Sequence, residues 1–231
     1  MISVITCTIR DHFIEEVFHN FGSQKIEEEK ELIIILNKDD MDLAMWKERA
    51  SNYHNVSVFQ LPEETSPGLC QNFAVHKAKY NIIAKFDDDD FYSPYYLKEQ
   101  LNAFHNTDAD IVGKRDCFYY LEGENKLVET TFGQENQFVE RVTDSSLMFR
   151  KEIFQTLQFP DLNKSYDNKF QQLCLKNGFK IYSTDKYNYT VVRRQDKETH
   201  TWGISDKTLK RIFSVVAKTR DYKSYVTKPI D

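Results

Sequence analysis

Residues 81–94 read NIIAKFDDDDFYSP, a short apolar segment that runs directly into four consecutive aspartates, Asp87–Asp90. The Ile-rich start is typical of a strand that is buried on both faces of a parallel sheet. In open α/β sheets, ligands bind just beyond the carboxyl ends of such strands. The stretch therefore predicts an α/β fold with a charged ligand site at the end of this strand.

Upstream of this stretch, strand-like and helix-like segments alternate. Short apolar runs rich in Ile and Val predict strands over 2–8 and 32–36, and a third strand is predicted over 56–61. Helices are predicted on the spacing of Phe13, Val17, Phe18 and Phe21, over 42–51, and after Pro67. This alternation predicts right-handed βαβ crossovers and a doubly wound half that binds a nucleotide.

Downstream, the sequence predicts further elements of both kinds. The predicted elements are a helix after Pro94, a hairpin from 111–122 and 126–132, a helix over 167–177 ending at Gly178, a strand over 179–184, a polar loop over 186–205, and a helix over 206–219 with Leu209, Ile212, Phe213 and Val216 on one face.

Composition excludes some classes of function. The chain has 231 residues, a formal net charge of −5 and a pI near 5.7, and so lacks the strongly basic character of a nucleic-acid-binding domain. The four cysteines form no C-x-x-C pair and are expected to be buried thiols. The apolar run at the N-terminus has no basic residues before it and is short for a signal peptide, which favours a cytoplasmic location.

The acidic run itself has a chemical meaning. In an extended segment, Asp87 and Asp89 point to one side and Asp88 and Asp90 to the other. Neighbouring carboxylates repel and raise one another's pKa unless a cation or donors hold them. Mg²⁺ and Mn²⁺ prefer oxygen ligands and keep positions for substrate phosphates. The run predicts a metal and diphosphate site, and a solvated acidic turn is the alternative.

Four segments together resemble a known family. They are ISVITCT at 2–8, PGLCQNFAVHKAKYNIIAKFDDDDFYSPYYL at 67–97, SSLMFRKEIF at 145–154, and SYDNKFQQLCLKNGFKIYS at 165–183. Over about residues 1–205 the sequence resembles the GT-A fold and, within it, the family 2 inverting glycosyltransferases. The resemblance implies a Rossmann-like, mixed but mainly parallel sheet flanked by helices, with an acceptor-side hairpin and a C-terminal helix.

The resemblance also implies a division of one GT-A-like domain over 1–231. Residues 1–93 would form the nucleotide-sugar-binding half, 94–205 the acceptor-side half, and 206–231 the C-terminal helix and tail. The last segment, counted from 205, carries seven Lys or Arg against three Asp. Such a basic helix either makes a peripheral membrane contact or packs on the domain with its charges in water.

The resemblance further implies roles for particular residues. Asp87, Asp89 and His200 would hold Mn²⁺ or Mg²⁺, and Asp167 would be the general base. A base is needed because an acceptor hydroxyl is a weak nucleophile. The alternative for Asp167 is a helix-capping or first-turn acid, and the alternative for His200 is a loop histidine.

Contacts to the two substrates are implied in the same way. The donor-binding residues would be Thr8, Asp39, Asn72, Asp87, Asp88 and Arg194, and the acceptor-binding residues would be Asp144 and Trp202. Trp202 alternatively anchors the tail, and Arg194 alternatively lies on the surface. The resemblance favours a UDP-sugar as the donor. Asn37 and Lys38 stand where the family commonly has two aspartates, one of which contacts the uracil base, so the base of the donor is left open. Asp39, Asp40 or Asp42 would take the place of those aspartates.

The expected function is transfer of a sugar from a nucleoside diphosphate sugar to a hydroxyl on a glycan, lipid-linked or protein-linked acceptor. Two alternatives stay open. One is a metal-dependent nucleotidyl or phosphoryl transferase, since the absence of a G-x-x-x-x-G-K-[ST] loop excludes only enzymes of the Walker type. The other is a non-catalytic module that binds a nucleotide sugar. The sequence leaves the oligomeric state open.

Overall fold

The computed structural model describes residues 1–194 and 213–230. The first ninety or so residues build four parallel strands joined by helices. The strands are β1 (Ile2–Thr8), β2 (Lys30–Leu36), β3 (Val56–Gln60) and β4 (Ile82–Lys85). The helices are α1 (Ile14–Gly22), α2 (Leu43–Ala50) and α3 (Pro67–Lys77). The strands lie in the order β3-β2-β1-β4, so the carboxyl ends of β1 and β4 are adjacent.

The Ile-rich runs form strands because both faces of the sheet are covered. In β2, Leu32 and Ile34 belong to a core cluster that includes Trp46 of α2. The intervening Ile33 belongs to a second cluster, on the other face, that includes Cys70 of α3. This period-two division of an unbroken apolar run is what a doubly covered parallel strand requires.

The second half of the chain extends the same sheet. Its elements are α4 (Tyr96–Asn106), β6 (Ile111–Gly113), β9 (Gln137–Val139), β10 (Met148–Arg150), α5 (Tyr166–Lys176) and β11 (Ile181–Ser183). Strand β10 is antiparallel to both β4 and β6, and β11 is parallel to β6. The predicted mixed, mainly parallel sheet flanked by helices is confirmed, and it takes strands from both predicted halves.

A smaller sheet packs at the end of the acidic run. Its strands are β5 (Phe91–Tyr92), β7 (Phe118–Leu121), β8 (Lys126–Glu129), β12 (Tyr189–Arg193) and β13 (Ser214–Lys218), in the order β13-β8-β7-β12-β5. Strands β7 and β8 form the predicted hairpin. Residues 111–113 of the predicted first arm belong instead to the main sheet, because a bend at 114–117 separates them from β7.

Two sequence predictions near the C-terminus are wrong. The stretch 186–205 was expected to be a loop, yet Tyr189–Arg193 is the strand β12, which pairs with both β5 and β7. A helix was expected over 206–219, yet Ser214–Lys218 is the strand β13, antiparallel to β8. Both segments contain a pair of valines, and β-branched residues favour strands. Residues 206–212 lie outside the described residues.

The chain continues after β13 into a short helix, α6 (Lys223–Val226). The predicted basic helical face therefore does not extend through 214–218, and the membrane contact proposed for it stays a prediction. Lys228, one of the basic side chains of this segment, pairs with Asp185 at 2.6 Å. Across residues 1–194 and 213–230, no helix combines the length and the apolar character that crossing a bilayer requires.

Candidate active site

The four aspartates after β4 differ in burial in an alternating pattern. Asp88 and Asp90 are only 3% and 7% exposed. The side chains of Asp87 and Asp89 are 39% and 17% exposed. This alternation has the predicted period of two, but residues 88–90 form a turn and a bend rather than the extended segment that was expected. It leaves Asp87 and Asp89 as the two carboxylates that a ligand arriving from solvent can reach.

Asp88 joins the end of β4 to the end of β1. Its Oδ2 accepts hydrogen bonds from Thr8 Oγ1 at 2.5 Å and from Arg10 Nε at 3.1 Å. Arg10 also reaches Asp89, with Nη1 and Oδ2 3.0 Å apart. Burial and the charge of Asp89 raise the pKa of Asp88 to about 6, although Arg10 and Thr8 lower it. Arg10, which the sequence analysis did not select, therefore balances the charge of two adjacent aspartates.

Asp90 joins the acidic run to the second sheet. Its Oδ2 accepts from the hydroxyl of Tyr189 at 2.7 Å, and its Oδ1 accepts from the N–H of Val192 at 3.0 Å. Burial, followed by the charges of Asp89 and Asp87, raises the pKa of Asp90 to about 8. Because β12 supplies both donors, the strand missed in the sequence fixes the end of the acidic run.

Tyr92 fixes the start of the run. Its ring stacks on Phe86 with centroids 3.8 Å apart. Its hydroxyl accepts from the N–H of Asp87 at 2.8 Å and donates to the carbonyl of Ser145 at 2.6 Å. Buried hydroxyls that use both functions position the backbone they contact. The Asp87 backbone is therefore held against the segment that leads to β10.

Lys85, the last residue of β4, is the central cation of the site. It is 2% exposed. Its Nζ lies 2.6 Å from Asp87 Oδ1 and 3.6 Å from Asp167 Oδ2. Burial lowers the pKa of Lys85, but the charges of Asp167 and Asp87 outweigh it and raise that pKa well above its usual value. Lys85 was not among the predicted site residues, although a lysine inside an otherwise apolar strand was a visible signal.

Asp167 lies in the first turn of α5 and is buried, with 6% exposure. Its Oδ1 has no hydrogen-bond partner among the described residues. Burial raises the pKa of Asp167 well above its usual value, the charge of Lys85 lowers it, and Asp144 and Asp87 raise it again. The residue at the cap position of α5 is Ser165, so Asp167 is not the capping residue. A buried carboxylate with one unpartnered oxygen is equipped to accept a proton.

Asp144 is joined to the same helix. Its Oδ1 accepts from Gln171 Nε2 at 2.9 Å, and Gln171 Oε1 accepts from the N–H of Val142 at 2.8 Å. Burial raises the pKa of Asp144, and its charge acts on Asp167. The structure therefore brings Asp144 and Asp167 close enough to interact electrostatically, and their roles as acceptor contact and base stay predictions.

Asp39 and Asn72, two further predicted donor residues, also have protein partners. Asp39 is exposed after β2, and its Oδ1 accepts from the N–H of Glu63 at 3.2 Å. Asn72 is buried in α3, donates to the carbonyl of Phe159 and accepts from the N–H of the same residue, both at 2.9 Å. The Asn72 amide thus ties α3 to the segment before α5, and its direct contact with a donor stays a prediction.

Arg194 lies at the end of β12, above the acidic run. Its guanidinium lies 5.2 Å from the ring centroid of Phe13, and its Nη2 donates to the carbonyl of Asp89 at 3.4 Å. Its Nη1 lies 3.3 Å from Glu122 Oε1. Arg10 contacts the same Phe13 ring, at 4.7 Å. Two guanidinium groups therefore share one aromatic ring beside the accessible aspartates.

The metal prediction rests on Asp87, Asp89 and His200. His200 lies outside the described residues, as does Trp202. In 1–194 and 213–230, no three His, Cys, Asp or Glu side chains are grouped as metal ligands. The accessible carboxylates of Asp87 and Asp89 nevertheless provide hard oxygen donors of the kind that Mg²⁺ and Mn²⁺ prefer. The residues present are chemically suited to such an ion, and their role as its ligands stays a prediction.

The chain matches one protein family. Residues 3–171, well over half of the chain, match the model of the family described as Glycosyl transferase family 2. Among curated proteins, the O-antigen biosynthesis glycosyltransferase WbnJ of Escherichia coli is 29% identical over 162 residues, which cover 66% of this chain and 63% of that protein.

Solved structures give the same fold. The structure of S. aureus TarS 1-349 in complex with UDP-GlcNAc superposes with a TM-score of 0.67 and 18% identity, covering 91% of this chain and 64% of that one. The mannosyltransferase PcManGT from Pyrobaculum calidifontis, in complex with GDP-Man and Mn²⁺, gives a TM-score of 0.64 and 15% identity, covering 86% and 58%. The chain spans about half to two thirds of the lengths of these relatives.

Proposed function

The chain belongs to glycosyl transferase family 2 and is a glycosyltransferase with the GT-A fold, and we propose that it moves a sugar from a nucleoside diphosphate sugar to an acceptor hydroxyl with inversion. The observation that carries the proposal is the buried Asp167 carboxylate, held by Lys85 across from Asp87. In this proposal Asp167 accepts the proton of the acceptor hydroxyl, and the accessible Asp87 and Asp89 contact the donor.

Inversion requires a single displacement. The acceptor oxygen attacks the anomeric carbon from the face opposite the diphosphate, the bond from sugar to phosphate breaks, and its electron pair leaves with the diphosphate. The hydroxyl proton goes to Asp167, whose Oδ1 has no hydrogen-bond partner among the described residues. A positioned base of this kind contributes about 100-fold to 10,000-fold to the rate.

Lys85 opposes the effect of burial on the pKa of that base. A carboxylate buried as deeply as Asp167 favours the protonated state, which is useless as a base. The ammonium of Lys85, 3.6 Å away, favours the ionised state and opposes that effect. We therefore assign Lys85 as a positioning residue that acts through Asp167, while its shorter contact to Asp87 connects the base to the donor side of the site.

The donor side is proposed to hold a divalent ion. Asp89 and Asp87, with His200, would hold Mn²⁺ or Mg²⁺, and such an ion offsets the negative charge that develops on the leaving diphosphate. Support comes from the accessible carboxylates of Asp87 and Asp89 and from the Mn²⁺ in the PcManGT complex. Arg10 adds a fixed cation next to Asp89.

A UDP-sugar is the proposed donor, in line with the UDP-GlcNAc bound to TarS. The alternative is a GDP-sugar, in line with the GDP-Man bound to PcManGT. Thr8 and Asp88 would form the floor of the nucleotide site, Asp39 would face the base, and Arg194 would contact the diphosphate. Asp144 and Trp202 would contact the acceptor. We further propose a cytoplasmic enzyme whose acceptor is a glycan or is linked to lipid or protein.

Product analysis tests the proposal. The protein is incubated with UDP-GlcNAc, UDP-glucose and GDP-mannose, each with and without Mn²⁺, and the released nucleotide is identified by chromatography. Glycosyl transfer or donor hydrolysis releases a nucleoside diphosphate, and an α-configured donor gives a product of β configuration by NMR. Release of a monophosphate or pyrophosphate identifies nucleotidyl transfer instead. Binding of a donor without turnover in any condition identifies a non-catalytic module.

A further inference from the structure

A groove of about 420 Å³ lies outside the residues assigned so far. It is lined by Arg115, Gln134, Phe138, Val139, Glu140 and Arg141. Two of these residues are arginines and one is an acid, in a chain whose overall charge is −5. The lining is therefore locally basic in an acidic protein.

The wall that carries Arg115 is held in place by hydrogen bonds. The neighbouring Asp116 is buried, and its two oxygens accept from the N–H groups of Phe132 at 2.6 Å and Gln134 at 2.9 Å. The Arg115 guanidinium lies 3.9 Å from the ring centroid of Phe132, and its Nε donates to Gln134 Oε1 at 3.0 Å. The guanidinium is thus oriented before any ligand arrives, which reduces the entropy lost on binding.

The two arginines act on one another electrostatically. Burial and then the charge of Arg141 lower the pKa of Arg115, and no ion pair joins either arginine to Glu140 among the described residues. Like charges that share a groove repel, and an anion placed between them relieves the repulsion. Arginine is suited to this role because its planar fork matches phosphate and carboxylate oxygens.

The groove leads toward the base. Arg141 is followed by Val142 and Asp144, both of which Gln171 of α5 holds by hydrogen bonds. The charge of Arg141 also acts on Asp144 and lowers its pKa, against the larger effect of burial. Since Asp167 lies one turn before Gln171 on the same helix, a ligand in the groove would extend toward the proposed base.

Aromatic surface completes the groove. Phe138, which lines the groove, is 49% exposed. Phe132, whose ring contacts the Arg115 guanidinium, is 46% exposed. Exposed rings next to fixed polar groups offer an apolar surface that a sugar ring can cover. The combination of two arginines and exposed phenylalanines fits a sugar that carries a negative charge better than either a neutral glycan or a bare ion.

We propose that this groove binds an anionic group, a phosphate or a carboxylate, on the acceptor, while the adjoining sugar ring packs on Phe138. The inference rests on the proposed function, because it makes the groove the acceptor side of the same site. It narrows the acceptor from any hydroxyl compound to one in which a phosphate or an acidic sugar lies close to the hydroxyl that is glycosylated.

The test measures binding as well as turnover. Dissociation constants are measured by NMR for glucose 1-phosphate, glucuronate, inorganic phosphate and the uncharged methyl α-glucoside. The wild-type protein is compared with Arg115→Gln and Arg141→Gln, and with Arg49→Gln as a matched control, since Arg49 pairs with Glu15 at the surface. Donor hydrolysis is assayed in all four proteins.

We expect both charged sugars to bind at least about tenfold more tightly than methyl α-glucoside, which is the effect of about one charge-assisted hydrogen bond. The preference should disappear in Arg115→Gln and Arg141→Gln and persist in Arg49→Gln. Tighter binding of glucose 1-phosphate alone, or of glucuronate alone, would identify which anion the groove takes.

Equal affinities for charged and uncharged sugars would overturn the inference, and so would a charge preference that survives both groove substitutions. Inorganic phosphate binding as tightly as glucose 1-phosphate would contradict a groove for sugars. These outcomes are separate from the fate of the proposed function. Donor hydrolysis without a charge preference refutes the groove alone, whereas a charge preference in a protein that never consumes a donor refutes the glycosyl-transfer premise.

Discussion

Replacing Lys85 by methionine removes the positive charge at the centre of the site while keeping a side chain of similar length. In the wild-type protein the Lys85 ammonium is 2.6 Å from Asp87 Oδ1 and 3.6 Å from Asp167 Oδ2. Burial, Asp144 and Asp87 all favour the protonated form of Asp167, and Lys85 is the largest opposing influence. The substitution therefore raises the pKa of Asp167 further.

The size of the effect follows from the distance. An opposite charge within about 4–6 Å lowers the pKa of a carboxyl group by about 1–3 units. Losing that charge should shift the acid limb of the activity profile upward by about 1–3 pH units. At a pH below the wild-type limb, the fraction of ionised base and hence the rate should fall by about tenfold to 1,000-fold.

The assay is the pH dependence of kcat/KM, which reports the ionisation of the free enzyme. Lys30→Met is the matched control, because Lys30 Nζ donates to the carbonyls of Phe21 and Gln24, each at 2.9 Å, and forms no ion pair within the described part of the chain. Circular dichroism and thermal unfolding verify that both variants are folded, since breaking a buried pair costs about 3–5 kcal/mol. A Lys85→Met profile that coincides with the wild-type profile at a normal rate would refute the reasoning.

Two further predictions concern stability. The folded protein holds a proton on Asp90 up to about pH 8, whereas the unfolded chain releases it near 3.8, so unfolding free energy should fall as pH rises through this window. In Asp90→Asn, the unfolding free energy measured by urea titration should depend less steeply on pH than in the wild-type protein. The same pH dependence in both proteins would contradict the raised pKa of Asp90. In Gly68→Ala the new Cβ would lie 2.0 Å from the Pro160 carbonyl oxygen, so stability should drop by about 1–3 kcal/mol. In the control Gly22→Ala the new Cβ would lie 3.7 Å from the Tyr53 hydroxyl oxygen, so its melting temperature should be near that of the wild-type protein. Equal melting temperatures for the two alanine variants would contradict a destabilising contact with Pro160.

The parallel half of the fold was predictable because its signals are local. An unbroken run such as Leu32–Leu36 has to be covered on both faces, and that requirement alone indicates a parallel strand between helices. Ser66, followed by Pro67 at the first helical position, marks the start of α3, and the Ser66 hydroxyl does accept from Leu69 N–H. Each of these inferences needs no more than about ten residues of sequence.

The second sheet was not predictable in the same way because its pairings are distant along the chain. Strand β12 pairs with β5 and β7, and β13 pairs with β8 across about ninety residues. The spacing of Phe213 and Val216 also fits a helix, and only pairing with β8 decides between the two structures. Periodicity therefore gave the wrong element at a sheet edge.

The site was predicted in part. The acidic run indicated Asp87 and Asp89, and the family resemblance indicated Asp167, but the sequence could not tell which charges would balance them. Lys85 and Arg10 supply that balance, and each is recognisable only once β1, β4 and α5 are brought together. Charge compensation depends on tertiary contacts, whereas the occurrence of a carboxylate run does not.

The measurement that tests the central claim most directly is single-turnover transfer by Asp167→Asn with a donor that the wild-type protein consumes. Asp108→Asn is the matched control, because Asp108 pairs with Lys180 at the surface. We expect a loss of about 100-fold to 10,000-fold in the chemical step with donor affinity equal to that of the control. Circular dichroism at the assay temperature verifies that the variant is folded, because removing the charge opposite Lys85 lowers its melting temperature. A rate for Asp167→Asn equal to that of Asp108→Asn would contradict the assignment of Asp167 as the base.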